Sequence, residues 1–555
     1  MFHVEHYSNI MKEKKYLLFG KLVDPVSKTI FDASVSVENG KILNIEPIRK
    51  KSEKYILPGF IDSHVHIESS MLTPGEFARL AVKHGTVATV SDPHEIANVC
   101  GREGLKFMIE DGNKVPLKFH FGVPSCVPAT GFETSGATMN AEIVGELLRR
   151  DDYFFLSEIM NYPGVINNDT EVWGKIRSAI KVNKPIDGHA PGLTGKNLKK
   201  YASANISTDH ESATIDEAIE KIRNGIKAQI REGSAAKNFN ALYPLIKKYP
   251  EKVMLCTDDC HPDDLVKGHI NMLIKRGIEK GIDLFDMLTV ACVNPVKHYN
   301  MNIGLLQKGD PADFIIIDDL ENFNILETYI NGEKVYNNGK TLFEYKAGKP
   351  VNNFKRKEIL KNDLLVKDKG KNIRVIKCFD GQLSTSSIVV KPNTTNGQII
   401  PDIENDLLKL VVVNRYNNSE PAIGFIQGIG LKYGAVAQSI GHDSHNIIAA
   451  GTNDADLLKA INTVISLKGG IVISEKGNIH QLPLEIAGLM SSESGEKTAS
   501  VYAELNKLAK SLGSSFKSPL MTLSFMSLLV IPELKLCDKG LFDVNAFSPV
   551  SLFVE

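Results

Sequence analysis

Short apolar runs alternate with longer amphipathic stretches over residues 58–302, and each short run ends in a cluster of polar residues. Eight such runs occur: Gly59 to Asp62, Thr86 to Ser91, Lys118 to Val123, Tyr153 to Ser157, Pro185 to Gly188, Ile206 to Asp209, Ala228 to Arg231 and Val253 to Thr257. Runs of this length read as buried strands. The stretches between them, such as Pro74 to His84 and Thr214 to Asn224, space their apolar residues at helical intervals behind a Pro or Thr start. Repeated βα units of this kind predict an α/β fold, a (β/α)8 TIM-type barrel.

On either side of this segment the pattern changes to strict alternation punctuated by Asn-Gly turns. Residues 16–57 carry Tyr16 to Phe19, Leu22 to Val23, Ser34 to Val37, the turn at Asn39-Gly40 and Ile42 to Ile45. Residues 303–345 carry Ala312 to Asp318, Glu327 to Ile330, the turn Asn331-Gly332, Glu333 to Tyr336 and Asn338-Gly339. These are hairpin signals, and the two stretches are predicted to form one small flanking β-sandwich. A lysine-rich polar stretch, 346–372, reads as a linker or a helix with a solvated face. Apolar patterning then resumes, and 373–555 is predicted to be a C-terminal mixed α/β domain. Its strands fall near Ser387 to Val390, Leu410 to Val413 and Ile471 to Ser474, with a helix around Asp454 to Ser466. Residues 1–15 have little periodicity and are expected to be a disordered or frayed tail, so His3 and His6 there carry no metal expectation.

A chain of 555 residues exceeds what one core supports, in keeping with a barrel of about 250 residues plus accessory domains. Lys plus Arg number 65 against 66 Asp plus Glu, a balance that argues against nucleic-acid or membrane-surface partners and for a small-molecule substrate. The seven cysteines are odd in number and lack CxxC spacing, which points away from a disulfide framework or structural zinc and towards a reducing compartment. No apolar run reaches the roughly 18 residues a membrane helix needs. A cytoplasmic homo-oligomer is expected.

Functional groups of such a barrel sit where its strands end. The first strand leads into His64-Val65-His66, two imidazoles on the same side of a strand and able to reach one ion. The second ends in Asp92-Pro93-His94-Glu95, the fourth in Glu158, the fifth in His189, the sixth in His210-Glu211, and the eighth in Asp258-Asp259 followed by His261. Any one of these histidines alone reads as a surface or hydrogen-bonded core residue. Together they converge around the barrel axis, and such a set holds two divalent ions with solvent between them. The ligand types admit iron, manganese or zinc.

The segment Ile56-Leu57-Pro58-Gly59-Phe60-Ile61-Asp62-Ser63-His64-Val65-His66 resembles the opening strand of the amidohydrolase superfamily, and Gly304 to Asp318 resembles the strand that follows its barrel. More narrowly, Ser91 to Asn98, Ser157 to Asn161, Asp187 to Gly192, Cys256 to Asp259 and, in the third domain, Gly441 to Asn446 resemble the bacterial adenine deaminase family. The likeness runs from about residue 16 to near the end. It implies hydrolysis of adenine to hypoxanthine and ammonia in purine salvage, with two divalent ions, manganese or iron, as cofactor. Carried over by position, His64, His66, Glu158, His189, His210 and Asp258 are the implied metal ligands. Many members of the superfamily bridge their ions with a carbamylated lysine at the end of strand four; this chain has Glu158 there, and a glutamate can bridge instead.

Asp258 is the candidate proton carrier, taking a proton from the attacking water and passing it to the ring or leaving group. Asp259, Glu95 and Glu211 are candidates to hydrogen-bond the purine, each with an alternative as a cap or salt-bridge residue. His442-Asp443-Ser444-His445 reads as a side-chain-stabilised turn, as a further metal site or as a cover over the barrel mouth. Cys126 and Cys256 lack an activating partner in sequence and read as packed thiols. The competing functions are a cyclic-amide hydrolase of dihydroorotase or hydantoinase type, disfavoured by the missing strand-four lysine, and a non-catalytic scaffold, disfavoured because every ligand position is filled.

Overall fold

The computed structural model describes residues 15–554. The expected tail therefore lies outside the described residues, His3 and His6 with it, except for Lys15, which opens the strand Lys15–Asp24.

Eight parallel strands close a barrel: β1 (Phe60–Val65), β2 (Thr86–Ser91), β3 (Lys118–Phe121), β4 (Leu156–Ile159), β5 (Ile186–Gly188), β6 (Thr208–Asp209), β7 (Lys227–Arg231) and β8 (Val253–Cys256). Ladders join β1 to β2 to β3, β4 to β5, and β6 to β7 to β8. The gaps between ladders are bridged at Val123 with Leu156 and by Ser207 N–H donating to the Ile186 carbonyl at 2.9 Å. A parallel bridge between Val65 and Asp258 seals β8 against β1. β1 and β2 are buried throughout, as parallel strands covered by helices on one face and packed against the barrel interior on the other must be. The covering helices start where the sequence says they should: Thr73 caps Pro74–Ala81 and Thr214 caps Ile215–Arg223, each side chain accepting from the third helical N–H.

Most barrel strands differ from the sequence expectation by one to three residues at an end, and two of these differences bear on the site. β1 runs on from Asp62 through Val65, because His64 and His66 face a buried interior rather than a solvated loop. In the fourth strand, Phe154 and Ser157 already bond to the β3 side, but the ladder with β5 begins at Leu156 and carries Glu158 inside the strand. Apolar patterning ends too early in both cases, since buried polar residues that serve the barrel interior look like loop.

The alternating stretches form one eight-stranded sheet drawn from both sides of the barrel, in which Tyr55–Pro58 pairs with Lys15–Asp24 on one edge and with Phe314–Ile317 on the other. The sheet folds over on itself: Lys41 bridges Pro311, and the rings of Tyr16 and Tyr329 lie 6.2 Å apart. Tyr16 to Phe19 and Leu22 to Val23 prove to be one ten-residue strand, the Gly20-Lys21 interruption being bridged by continuous pairing with Thr29–Glu38.

From residue 346 to 371 the chain is largely irregular, with one short 3-10 turn at Lys361–Leu364, and it is packed down rather than loose: the N–H groups of Lys355 and Arg356 both donate to the Arg415 carbonyl. The C-terminal region centres on a nine-stranded sheet whose middle strands, Leu407–Val413, Ile447–Gly451 and Ala435–Gln438, are fully buried, and the helix Asp454–Leu467 packs on it. It docks on the barrel. Glu76 accepts from Gly495 N–H at 3.0 Å, and Leu80 packs against the same glycine. Among the described residues no helix is long and apolar enough to cross a membrane.

Candidate metal centre

His64 and His66 stand on one side of β1, two residues apart, with their Nε2 atoms 3.2 Å from each other. The seam that closes the barrel brings a carboxylate to them. Asp258 N–H donates to the His64 carbonyl at 2.9 Å and His66 N–H donates to the Asp258 carbonyl at 3.2 Å. Asp258 Oδ1 then lies 3.1 Å from His66 Nε2 and 3.8 Å from His64 Nε2. Across the axis, buried Glu158 divides its oxygens: Oε2 is 2.9 Å from His189 Nδ1 and 3.2 Å from His210 Nε2, while Oε1 is 3.7 Å from His66 Nε2. The His64 and His210 rings stack at 4.1 Å, completing the ring of groups. His189 owes its position to Gly188, where a Cβ would meet the Thr208 carbonyl oxygen at 2.6 Å.

All six expected ligand positions are thus brought together. The donor set fits divalent ions. His66 Nδ1 sits 3.1 Å from the Asp92 carbonyl oxygen, which only accepts, so Nδ1 carries the proton and Nε2 presents its lone pair to the centre. Burial, reinforced by the neighbouring His210 and His66, holds the His64 pKa well below its ordinary value, the neutral form that ligates. Burial opposes ionisation of Glu158, yet His189 and His210 outweigh it and keep the carboxyl well below the usual range. Asp92 and His94 add to the argument: His94 Nδ1 stands between two buried carboxylates, 3.3 Å from Asp92 Oδ2 and 3.5 Å from Glu158 Oε1, and among the described residues Asp92 Oδ1 is buried with no hydrogen-bond partner. Buried polar groups so arranged are normally paired or hold a metal. His66, Asp92, His94 and Glu158 form one ligand-sized group, and His64, His210 and Asp258 another.

Comparison with known proteins gives the family. The amidohydrolase family model matches residues 55–335, and the adenine deaminase C-terminal domain model matches residues 382–548. An adenine deaminase of Methanosarcina acetivorans is 54% identical over 553 residues, covering 98% of this chain and all of that protein. One from Salinibacter ruber is 51% identical over 97% of this chain and 99% of its own length. One from Borreliella burgdorferi is 50% identical over 95% and 97%. The chain belongs to the adenine deaminase family.

In this member of the adenine deaminase family the second circle of residues is held by ion pairs. Arg231, at the end of β7, was not singled out by sequence; it grips Glu211 with two nitrogens, at 2.5 and 3.0 Å, and also bonds Asp258 Oδ2. Burial opposes the charge on Asp258, but Arg231 and His66 keep its carboxyl well below the usual range. Asp259 Oδ1 accepts from the Ser69 hydroxyl at 2.5 Å, and Glu211 also lies 3.3 Å from His210 Nε2. Asp92 and His94 are further residues at the site, and their signal in the sequence is the polar cluster closing β2. Cys126 and Cys256 are buried with pKa values raised chiefly by that burial, as packed thiols are.

The roof comes from the C-terminal domain. Its turn between Ala435–Gln438 and Ile447–Gly451 lays His442 and His445 on Glu95: His442 Nδ1 is 2.7 Å from Oε1, and His445 Nε2 bonds Oε2. Gly441 N–H points at His445 Nδ1, so that nitrogen accepts and Nε2 is the one that donates. Burial drives His445 down to about 4, whereas the Glu95 carboxylate overcomes burial at His442 and raises it to about 9. Both Glu95 oxygens are therefore satisfied by the roof. Beneath it lies a chamber lined by His66, Glu158, Asp258, Asp443 and Phe525, and it adjoins an outer cavity of about 710 Å³ that shares His189, Glu211, Arg231 and Leu383 with it. The outer cavity is in the range of small-molecule sites, whereas the chamber itself takes only about 40 Å³.

Proposed function

We propose that the chain hydrolyses adenine to hypoxanthine and ammonia at a two-metal centre held by His64, His66, Glu158, His189, His210 and Asp258. The observation that carries this reading is the meeting of four imidazoles on Glu158 and Asp258 beneath the C-terminal domain, in a chain more than half identical to proteins named adenine deaminase. Bound divalent ions would supply the positive charge that lowers the pKa of an attacking water. The remaining work falls to the chain's own groups. Asp258, ionised and within reach of the ligand cluster, accepts the water's proton and delivers it to the purine ring or the leaving amine. Arg231 fixes the Asp258 and Glu211 carboxylates at the wall, and the roof covers one side of the chamber. Asp259 and Glu211 are the proposed hydrogen-bonding partners of the ring, whereas Glu95, the third candidate, has its oxygens on His442 and His445 and is proposed to hold the roof instead.

Glu158 is proposed as the bridging ligand, a role supported by its two oxygens facing different histidines. Activity should then be indifferent to bicarbonate during metal loading, and a carbamylated lysine between the ions in a metal-loaded crystal structure would refute it. Nitrogen and carboxylate donors suit manganese or iron, with zinc also admitted. Seven free cysteines, six of them buried, support a reducing cytoplasmic setting; purine salvage follows from the proposed reaction alone, and a homo-oligomer is tested by light scattering. The deciding experiment assays metal-loaded protein on adenine, adenosine and dihydroorotate. Ammonia from adenine is expected, and ring opening of dihydroorotate without ammonia from adenine would overturn the assignment.

A further inference from the structure

The segment from Gly441 to Asn446 reaches over the barrel in a fixed shape. His442 N–H donates to the Ser524 carbonyl at 3.0 Å, the Ser527 hydroxyl donates to the His442 carbonyl at 3.3 Å, and His445 N–H donates to the Gly441 carbonyl at 2.7 Å. The Tyr416 hydroxyl donates to the Ser444 carbonyl at 2.6 Å, and the His442 ring lies flat against Phe525 with centroids 4.3 Å apart. Asp443 sits in the middle of this pinned turn. It is 3% exposed and lines the same chamber as His66, Glu158 and Asp258. Among the described residues nothing hydrogen-bonds its Oδ2, which is buried. Its charged surroundings include Glu95 and Glu158 as well as His94 and His442. A buried carboxylate oxygen with no donor is costly, and a fold that holds one rigidly over a substrate chamber leaves the donor to be supplied by the ligand.

We infer that Asp443 accepts a hydrogen bond from the ring N–H of a free purine base, so that the C-terminal domain selects the base over its nucleosides. This inference rests on the reading of the site given above. The reacting C6 edge has to face His66, Glu158 and Asp258 on the barrel floor, which turns the imidazole half of the purine toward the roof. That half carries the one ring N–H of the free base. Phe525, Leu528 and Ile531 flank the chamber with apolar surface, suited to a flat ring. In a nucleoside N9 carries the sugar, the ring N–H is gone, and Asp443 Oδ2 would be left buried and unpaired. Sites built to bond a substrate N–H reject analogues that lack it for this reason.

The test compares adenine with 9-methyladenine, which lacks any ring N–H but adds only a methyl group, on metal-loaded wild type, Asp443→Ala and Asp443→Asn, with metal content measured for each. Loss of a hydrogen bond to a charged group predicts that Asp443→Ala lowers kcat/KM for adenine about 10- to 100-fold, mostly through KM. The rate with 9-methyladenine should move by less than about threefold, so the wild-type preference collapses. Equal losses on both substrates would mean a structural role, and an undiminished preference would mean no contact; either overturns the inference. If Asp443→Ala loses its fold or metal, the near-isosteric Asp443→Asn decides by the same ratio, with a rise in KM for adenine alone expected. A wild type inactive on adenine would sink the underlying function as well, whereas an active wild type whose preference survives both substitutions sinks only the role of Asp443.

Discussion

His442 Nδ1 lies 2.7 Å from Glu95 Oε1, an ion pair that fastens the C-terminal domain to the first turn of the helix His94–Gly112 behind β2. His442 is raised to about 9 and the Glu95 carboxyl is held well below its usual range, so the pair is charged at neutral pH. Removing one partner of a buried pair costs about 3–5 kcal/mol when nothing replaces it. His445 still bonds Glu95, so His442→Ala should fall at or below the lower end of that range. Calorimetry should show a lower Tm, and limited proteolysis should detect looser docking. An unchanged Tm and cleavage pattern would count against the fastening.

His64→Ala and His66→Ala should each lower metal content and abolish deamination while leaving the barrel folded, because both Nε2 atoms point into the ligand cluster. Elemental analysis, circular dichroism and ammonia release check the three parts. Full occupancy at the wild-type rate would contradict the assignment.

Asp258→Asn keeps the size and one oxygen ligand but removes the basic carboxylate. Turnover should fall about 10²- to 10⁴-fold, with kcat affected more than the binding of an unreactive purine. Asp259→Asn should instead weaken purine binding. If Asp258→Asn, with both metals verified, stayed within about threefold of wild type, a proton-carrying role would be untenable.

Lys535 donates to the carbonyls of Leu383, at 2.7 Å, and Phe525, at 3.1 Å, and burial pushes its pKa down to about 7. An unfolded lysine stays protonated up to about pH 10. Between those limits the unfolded chain binds more protons than the folded one, so stability should rise with pH there and level off below about 7. The gain should not exceed about 1.4 kcal/mol per pH unit, and it should vanish in Lys535→Met. Denaturant titrations of both proteins from pH 6 to pH 10, compared as a difference, would expose an error if the two curves ran parallel.

The sequence by itself determined the fold class and named most residues of the candidate centre. Apolar runs of strand length separated by amphipathic helices specify βα units wherever they fold, and strand alternation puts His64 and His66 on one face without any tertiary knowledge. Glu158, His189, His210 and Asp258 were readable as well, because residues at the C-terminal ends of barrel strands share one rim. Boundaries at β1 and β4 were misread since buried polar residues imitate loops. The partnership of Arg231 with Glu211 and Asp258, the approach of His94 to Glu158, and the landing of His442 and His445 on Glu95 were decided only in three dimensions. His442 and Glu95 are 347 residues apart in the chain. Periodicity describes how one segment faces its own neighbours; which charge answers which across two domains depends on how separate sheets dock, and no local pattern encodes that.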